Sequence, residues 1–526
     1  MSSYLHLQRW QIQPEPLSLV QNLNRHLRLV VQKTPLYHLA LMGKTPQHMI
    51  TIPTDPWPGQ THLGRKLLDG TFILGQEIIK IQQLWYPKEL SQESLFDLHS
   101  FDWLRDLRSI GDNSSRRIAR QLILNWIERN QNWNSIAWRA DLTGLRLSCW
   151  LGLYDFFAAS ADEEFRSQFF KSLMRQTRHL LKNWQYAATA THKLFALHGL
   201  LKSLISLNYE PHLLPKLIQK LENLVQSQIL PDGGHYNRSP YIQLTILRLL
   251  IDLRSLFRQI HQPMPENLQQ IISKMAPIVR LFRHSDGHLA CFGPYHSGNS
   301  NLIDMVLSLA DVRGRPPIRA DHTGYERCTS KSGMILINTR PSVCRSPGAE
   351  LEAGLGLFNF EWSSTEQRII TYGDCVLQTH SGKILTTIED PAHQTSTHQT
   401  HHPQGIVFEG SYQHLHQNHY LGFEQTLFLN SDSFDFRGES QFKSSEACLV
   451  ALRFVFHPSL TLHRINAKRT MVQSPHGLRW LLTASGHSDL QFEKMSDESE
   501  GFILLLLSEI YENVQMTVRW VFSQME

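Results

Sequence analysis

Residues 230–241, with the sequence LPDGGHYNRSPY, join two long segments whose apolar residues recur with helical spacing. Pro231 fixes φ, Asp232-Gly233 supplies a turn, and Gly234 permits a close backbone approach. Ser239-Pro240 is typical of a helix N-cap followed by proline at the first helical position. We therefore predict a turn between two helices. We also expect this turn to carry chemistry, because ordinary connectors do not require so many ionisable or hydrogen-bonding side chains: Asp232, His235, Tyr236, Arg238 and Tyr241.

Around this turn, from about residue 95 to 310, the apolar residues repeat with a period of 3.6 in segments separated by short links. Ser115 and Asp162 stand where N-caps are expected. No strand signal interrupts the segments, which predicts helix pairs wrapped into a bundle or toroid. Upstream, Thr71-Phe72-Ile73-Leu74 predicts a short strand or hairpin.

After Pro316-Pro317 the apolar period changes from 3.6 to 2, which marks a domain boundary. The predicted strands cover residues 334–337, 355–360, 368–372, 419–429, 449–456, 478–482, 502–507 and 514–522. So many strands without intervening helices predict an antiparallel β-sandwich. The histidine-rich stretch before His419 is predicted to be a solvated loop. The expected organisation is thus an arm (1–60), a helical domain (61–315) and a sandwich (316–526).

Composition limits the functional classes. A chain of 526 residues is too long for one hydrophobic core. Its formal charge of +4 tolerates an anionic ligand without requiring one. Runs of Lys and Arg with interleaved aromatic residues are missing, which argues against nucleic acid. We expect no membrane span, since no apolar run is long enough, and the N-terminal sequence shows no clear secretory signal, which favours the cytoplasm.

The pattern Asp232-Gly233-Gly234, four residues, then Ser239-Pro240 resembles the signature of the heparinase II/III family of polysaccharide lyases. Stretches 57–59, 101–107, 138–150 and 442–458 are similar to its alphaproteobacterial branch. The resemblance covers most of the chain from about residue 55. It implies an α/α toroid, an incomplete barrel of helix pairs, followed by a β-sandwich. It also implies an acidic, uronate-containing polysaccharide bound between the two domains, and a place in the cell envelope or periplasm.

The resemblance implies β-elimination, which needs groups that neutralise the uronate, remove its C5 proton and protonate the leaving oxygen. Tyr241 is the expected acid/base and Tyr236 its rival. Tyr241 stands one position before the family's tyrosine, because Ile242 and Gln243 occupy the places of the family's Tyr and His. His192 and His393 are further catalytic candidates.

Substrate contacts are expected from Asp232, His235, Arg238 and Thr191, the last of which replaces a family asparagine. His192 shares a helix face with Ala196 and Gly199. These small residues predict room for a ligand beside the histidine.

A metal site is a weaker expectation. In metal-bearing relatives of the family, two histidines join an aspartate in the sandwich. Here Glu352 replaces the first histidine, while Asp374 and His393 stand near the other two positions. The three residues predict a mixed carboxylate and imidazole site for zinc, to be weighed against a solvated histidine-rich loop.

The departures at Thr191, Ile242 and Glu352 leave the activity open. A lyase that has kept its chemistry is one hypothesis, and a non-catalytic glycan-binding or envelope protein is another. A third is an inverting glycoside hydrolase, which requires two carboxylates about 6.5 to 9.5 Å apart. Asp232 and Asp286 are the expected pair for that reaction.

Overall fold

The computed structural model describes residues 28–75, 77–81, 84–85, 90–292, 299–340, 356–364, 367–379, 384–385, 393–416, 419–485, 489–494 and 502–525. Over these ranges the chain forms a helical domain followed by a domain of two antiparallel sheets. None of the helices described combines the length and apolar character that a membrane crossing requires.

The helical domain is built around one large core of tryptophan, phenylalanine and leucine side chains. Its helices are α1 (Pro35–Leu39), α2 (Thr61–Leu68), α3 (Gln92–Ser100), α4 (Leu104–Ile110), α5 (Asn113–Arg129), α6 (Ala140–Gly152), α7 (Tyr154–Phe157), α8 (Glu163–Asn183), α9 (Ala190–Leu207), α10 (Leu214–Gln226), α11 (Pro240–Gln259), α12 (Glu266–Leu281) and α13 (Ser300–Ala310). A hairpin of β1 (Thr71–Leu74) and β2 (Glu77–Lys80) confirms the predicted one. Helices α9 and α11 are buried on nearly all sides, as expected for the inner elements of a toroid.

Side-chain caps determine where several helices begin. Asp162 accepts the Phe165 amide at 2.7 Å, and Ser239 accepts the Ile242 amide at 3.4 Å, which confirms both predicted caps. The prediction of Ser115 as a cap was wrong. Asp112 caps α5 by accepting the Ser115 amide at 2.7 Å, because the helix begins one turn earlier than its apolar stripe.

The second domain is a sandwich of two antiparallel sheets. Its strands are β3 (Arg319–Ala320), β4 (Tyr325–Thr329), β5 (Gly333–Asn338), β6 (Phe360–Ser364), β7 (Arg368–Thr379), β8 (Ile384–Leu385), β9 (His393–His402), β10 (Gly405–His416), β11 (His419–Asn430), β12 (Phe436–Ser444), β13 (Cys448–Phe456), β14 (Thr461–Asn466), β15 (Arg469–Gln473), β16 (Arg479–Ser485), β17 (Asp489–Lys494), β18 (Phe502–Ile510) and β19 (Met516–Met525). One sheet has the order β14-β15-β16-β19-β12-β11-β10-β9, and the other β17-β18-β13-β7-β6-β5-β4-β3, with β8 paired to β7. Their inner faces share one apolar core.

The histidine-rich stretch was wrongly predicted as a loop. Residues 393–402 form the edge strand β9, which pairs along its length with β10. In β10 the buried Ile406, Phe408 and Tyr412 follow the period of 2, whereas β9 consists of polar residues and lies at the edge of its sheet, where polar residues are common. A strand with so few apolar residues gives little periodic signal, so its polarity resembled that of a loop.

Two similar turns of the helical domain contact the sandwich. Asp232-Gly233 follows α10 and Asp286-Gly287 follows α12, and each turn is closed by an isolated antiparallel bridge. Between them lies a small apolar cluster to which α12 and strands β3–β5 contribute. The helical domain therefore contacts the sandwich through the C-terminal turns of two helix hairpins.

Candidate functional site

A cavity of about 70 Å³, open to solvent, lies among the helices of the toroid. Its walls come from α3, the start of α4, α6, α9 and α11. The lining residues are Trp57, Phe96, Asp97, Ser100, Asp102, Arg105, Leu145, Ser148, Cys149, Phe195, Tyr241, Thr245, Arg248, Leu249 and Asp252. Aromatic and aliphatic side chains with a few convergent polar groups are the usual composition of a ligand site.

Tyr241 is the one predicted site residue in the described lining of this cavity. Its side chain is 36% exposed, while the neighbouring Ile242 is buried in the core. The Ser239 cap sets this orientation, because it starts α11 so that position 241 projects into the cavity and position 242 away from it. Tyr241 thus reaches the cavity although it stands one position before the family's tyrosine.

The charged wall of the cavity is formed by Asp102, Arg105 and Arg248. The Asp102 carboxylate is 54% exposed, contacts the Arg105 guanidinium and lies 3.4 Å from Arg248. The surrounding protein removes part of the hydration of this half-exposed carboxylate and so raises the pKa of Asp102, but the two guanidiniums outweigh that effect and the net pKa is lowered. Arg105 is 5% exposed and is oriented from behind by Asp55, which accepts its Nε and Nη2 at 3.1 and 2.6 Å.

A buried polar network supports the cavity floor. Asp252 on α11 accepts from Lys202 Nζ at 2.8 Å and from Trp57 Nε1 at 3.0 Å, and His198 Nε2 lies 3.4 Å away. Burial raises the Asp252 pKa, but Lys202 and His198 lower it by more than burial raises it. The carboxylate is therefore ionised. This network was not predicted from the sequence. A charged residue on each of two apolar helices, Lys202 and Asp252, was the available signal.

His192 lies near the cavity wall but not in its described lining. Its Nε2 is 3.5 Å from Asp141 Oδ2 and its Nδ1 is 3.1 Å from Thr189 Oγ1. Burial lowers the His192 pKa, which Asp141 opposes in part, so the ring is neutral near pH 7. Its ring contacts Phe195, which lines the cavity.

The small residues on the His192 face do not leave room for a ligand, and that prediction was wrong. A Cβ built on Gly199 would lie 2.0 Å from the Gly144 carbonyl oxygen. The space beside Gly199 is filled by the backbone of α6, which crosses α9 there. Ala196 is likewise fully buried, next to the same crossing.

His235 and Thr191 are buried together behind the turn. His235 Nε2 is 3.2 Å from Gln228 Oε1, which also accepts from Thr191 Oγ1 at 3.0 Å, and His235 Nδ1 accepts the Asn237 amide at 3.1 Å. Burial lowers the His235 pKa to about 3, so the ring is neutral. Tyr236 packs on it with ring centroids 4.7 Å apart. The described contacts of His235 and Thr191 are with protein groups.

Gln243 stands where the family carries a histidine, and it braces the turn from inside. Its Oε1 accepts the His235 amide at 2.7 Å, and its Nε2 donates to the Gly233 and Met275 carbonyls at 2.9 and 3.2 Å. The departure from the family pattern thus places a structural amide in the position of a proton-transfer group.

Asp232 and Arg238 bind the sandwich directly. Asp232 accepts from the Thr323 amide and hydroxyl at 2.7 and 2.8 Å. Arg238 Nε donates to the Thr323 carbonyl at 2.8 Å, and its Nη2 contacts Asn338 Oδ1. The Tyr325 hydroxyl donates to the Arg238 carbonyl at 2.9 Å. The turn lies at the domain junction as predicted, but these side chains fill the contact between the domains instead of lining an opening.

The zinc prediction gains no support from the described residues. Glu352 lies outside them, as does the side chain of His393, whose backbone belongs to β9. Asp374 on β7 accepts from Arg453 Nε at 2.8 Å, so its carboxylate is already paired. Within the ranges described, no group of three or more His, Cys, Asp or Glu residues is arranged to hold a metal ion.

The carboxylates predicted for a glycoside hydrolase are held in different contacts. Asp232 binds Thr323, whereas Asp286 lies 3.2 Å from Arg368 Nε and 3.6 Å from His288 Nδ1. Burial raises the Asp286 pKa, but His288 and Arg368 lower it well below its usual value. Each carboxylate has a structural role in its own turn.

Comparison with known proteins agrees with the fold and the predicted resemblance. Residues 70–305 match the family model for the heparinase II/III N-terminus. FtsZ-localized protein C of Caulobacter vibrioides is 26% identical over 346 residues, which cover 64% of this chain and 58% of that protein. The match thus spans less than two thirds of the relative.

Solved structures share the whole architecture at low identity. The crystal structure of heparinase III superposes with a TM-score of 0.67 at 12% identity, covering 97% of this chain and 93% of that one. A heparan sulfate lyase HepC mutant from Pedobacter heparinus gives 0.53 at 14% identity, covering 97% and 91%. Residues 70–305 therefore form a heparinase II/III N-terminus domain, and the chain as a whole has the α/α toroid and β-sandwich fold of heparinase III.

Proposed function

We propose that this chain binds a polysaccharide in the toroid cavity without cleaving it by β-elimination. One observation carries the proposal: Asp232, His235 and Arg238 are engaged in internal contacts, while the cavity beside Tyr241 remains open. A lyase needs groups that neutralise a uronate carboxylate and groups that move protons. A binding protein needs only the cavity.

The comparisons support this proposal at the level of the fold. The superposed structures include a heparan sulfate lyase, so the architecture is one that accommodates sugar chains. The name of the Caulobacter relative records localisation with FtsZ, which favours a binding role in our proposal. We propose an envelope-associated role for this chain, with a polysaccharide as its ligand.

Turnover is the second candidate, and Tyr241 is the observation that favours it. Tyr241 lines the cavity and is 36% exposed, and a phenol there could exchange a proton with a bound sugar. His192, neutral and paired with Asp141, lies behind Phe195 and could act with Tyr241 if a substrate drew them together. In that reaction a base removes the C5 proton of the uronate, the electron pair forms a C4=C5 double bond, and the C4–O bond breaks as the leaving oxygen takes up a proton.

Retention and turnover can be measured on the same samples. For retention, the full chain is passed over immobilised heparan sulfate, hyaluronan, alginate and neutral glycans. For turnover, the chain is incubated with each soluble glycan, and the ultraviolet absorbance of an unsaturated uronate is followed. We expect retention on at least one glycan without an absorbance rise. Absence of retention on all of them would refute the proposal.

Tyr241→Phe separates the two candidates. Under the binding proposal, the variant shows the same lack of turnover as the parent chain and keeps its retention within about threefold, because the ring remains. If the parent chain does produce unsaturated uronate and Tyr241→Phe abolishes it, the lyase assignment replaces ours. Tyr511→Phe, at an exposed position in the sandwich, is the control. Reducing ends that appear without absorbance would instead indicate hydrolysis.

A further inference from the structure

The charges of the toroid cavity do not match a polyanion. Its lining contains the carboxylates of Asp97, Asp102 and Asp252 and the guanidiniums of Arg105 and Arg248. Two of these groups are buried behind the cavity surface, because the side chain of Asp252 is 4% exposed and that of Arg105 is 5% exposed. A ligand that enters the cavity therefore meets Asp102, which is 54% exposed, far more than Arg248, which is 15% exposed.

The guanidiniums of the cavity already have carboxylate partners. Asp55 and Asp102 bind Arg105, and Asp102 lies 3.4 Å from Arg248. A uronate or sulfate would have to displace Asp102 from these arginines and then lie close to its negative charge. Like charges brought together in a partly desolvated site repel each other strongly.

We infer that the cavity selects a pyranose unit that carries neither carboxylate nor sulfate. The sugar hydroxyls would donate to Asp102 and Asp97 and accept from Arg248, while the Tyr241 ring packs against the sugar. The exposed Asp102 carboxylate excludes an anionic unit, so discrimination comes from a repulsive element as well as from attractive contacts. This inference rests on the proposed function, because it names the class of sugar unit that the same cavity takes.

The inference is tested by calorimetric titration of the full chain with two oligosaccharides of equal length. One is an N-acetylglucosamine oligomer, which is uncharged, and the other is an alginate oligomer, in which every unit carries a carboxylate. We expect the uncharged oligomer to bind about tenfold more tightly. If neither oligomer binds, the proposed function itself fails. If the alginate oligomer binds equally well or better, the proposed function stands and this inference is overturned.

Asp102→Asn tests whether Asp102 is responsible for the preference, because the substitution removes the negative charge of the side chain and keeps its shape. We expect the preference for the uncharged oligomer to fall by at least about threefold. Asp432→Asn, at an exposed turn of the sandwich, is the control and should leave the preference unchanged. An unaltered preference in a folded Asp102→Asn variant would also overturn the inference.

Salt dependence provides a test that needs no variant. Repulsion between Asp102 and a uronate is screened as salt rises, so alginate binding by the parent chain should strengthen between low and moderate salt. Alginate binding that weakens with salt would show attraction and contradict the inference. Should Asp102→Asn fail to fold, Asp97→Asn with this salt series takes its place.

Discussion

At the scale of single residues, burial decides the protonation state of several histidines. His99, His179 and His235 all lie in the interior of the toroid, and burial lowers the pKa of each to about 3. Each ring is therefore neutral at physiological pH and acts as a hydrogen-bonding group within the core. His235, which was expected to contact substrate, belongs to this set.

We predict that acid destabilises the protein through these histidines. The folded state does not protonate His235 until about pH 3, whereas the unfolded chain does so below its ordinary pKa of 6.5. Stability therefore falls as the pH drops from 6.5 towards 3, by up to about 1.4 kcal/mol per pH unit for each such histidine. In His235→Gln the difference in unfolding free energy between about pH 7 and pH 5 should be smaller, as measured by urea denaturation.

The control for this measurement is His212→Gln, since the His212 side chain is 71% exposed. It should keep the pH dependence of the parent chain. Equal pH dependence in His235→Gln and the parent would show that His235 is not held neutral by burial.

At the scale of elements, the crossing of α6 and α9 sets the position of the cavity wall. Gly144 and Gly199 meet where the two helices cross, and a Cβ on Gly144 would lie 2.3 Å from the Phe195 carbonyl oxygen. Both helices contribute to the cavity, through Ser148 and Cys149 on α6 and Phe195 on α9. The spacing of the helices therefore affects the site as well as the core.

We predict that Gly199→Ala destabilises the protein by about 2 to 3 kcal/mol, because the added methyl group overpacks the crossing. The sign of this change in stability is informative, since a Gly→Ala change at an unconstrained helix position stabilises a protein by roughly 1 kcal/mol. Chemical denaturation measures the difference, with Lys220→Ala on the exposed face of α10 as the control. A neutral or stabilising effect of Gly199→Ala would mean that the helices do not touch there.

At the scale of the whole molecule, several polar contacts between described residues join the toroid to the sandwich, and two groups of them are wholly or partly buried. The first is formed by Asp232 and Arg238 with Thr323 and Asn338. The second places Glu361 Oε2 3.0 Å from His284 Nε2 and 3.3 Å from Arg368 Nη1, all fully buried. Polar contacts of this kind are costly to break singly, because a partner is left buried without its hydrogen bonds.

We predict that Arg238→Ala uncouples the two domains. The Thr323 carbonyl and Asn338 Oδ1 each lose the hydrogen bond from Arg238, so the sandwich and toroid should unfold in two separate calorimetric transitions or in one visibly broadened transition. Arg437→Ala, at an exposed position of β12, is the control and should keep the shape of the parent transition. An unchanged transition in Arg238→Ala would show that the remaining contacts, which include Asp232 with Thr323, His284 with Glu361 and the apolar cluster, are enough to couple the domains.

Local signals in the sequence were enough to predict the fold class. The period of 3.6 before Pro316 and of 2 after it depends only on which face of each element is buried, so helices and strands could be assigned without knowing their neighbours. The Asp162 and Ser239 caps are equally local and were confirmed. Strand β9 was not predicted, because an edge strand of polar residues shows little periodicity.

The site was decided by tertiary structure. The residue types of the turn at 232–241 predicted a catalytic or binding site. In the structure most of these side chains make contacts within the protein instead. A side chain's role depends on whether its neighbours are solvent or protein. Asp102, Arg248 and Asp252 come from distant positions and meet only when the toroid closes. The sequence by itself determined the order of elements and the turn between α10 and α11. Only the tertiary structure decided which polar groups face the cavity, because burial and long-range pairing are properties of the closed fold and not of any short stretch.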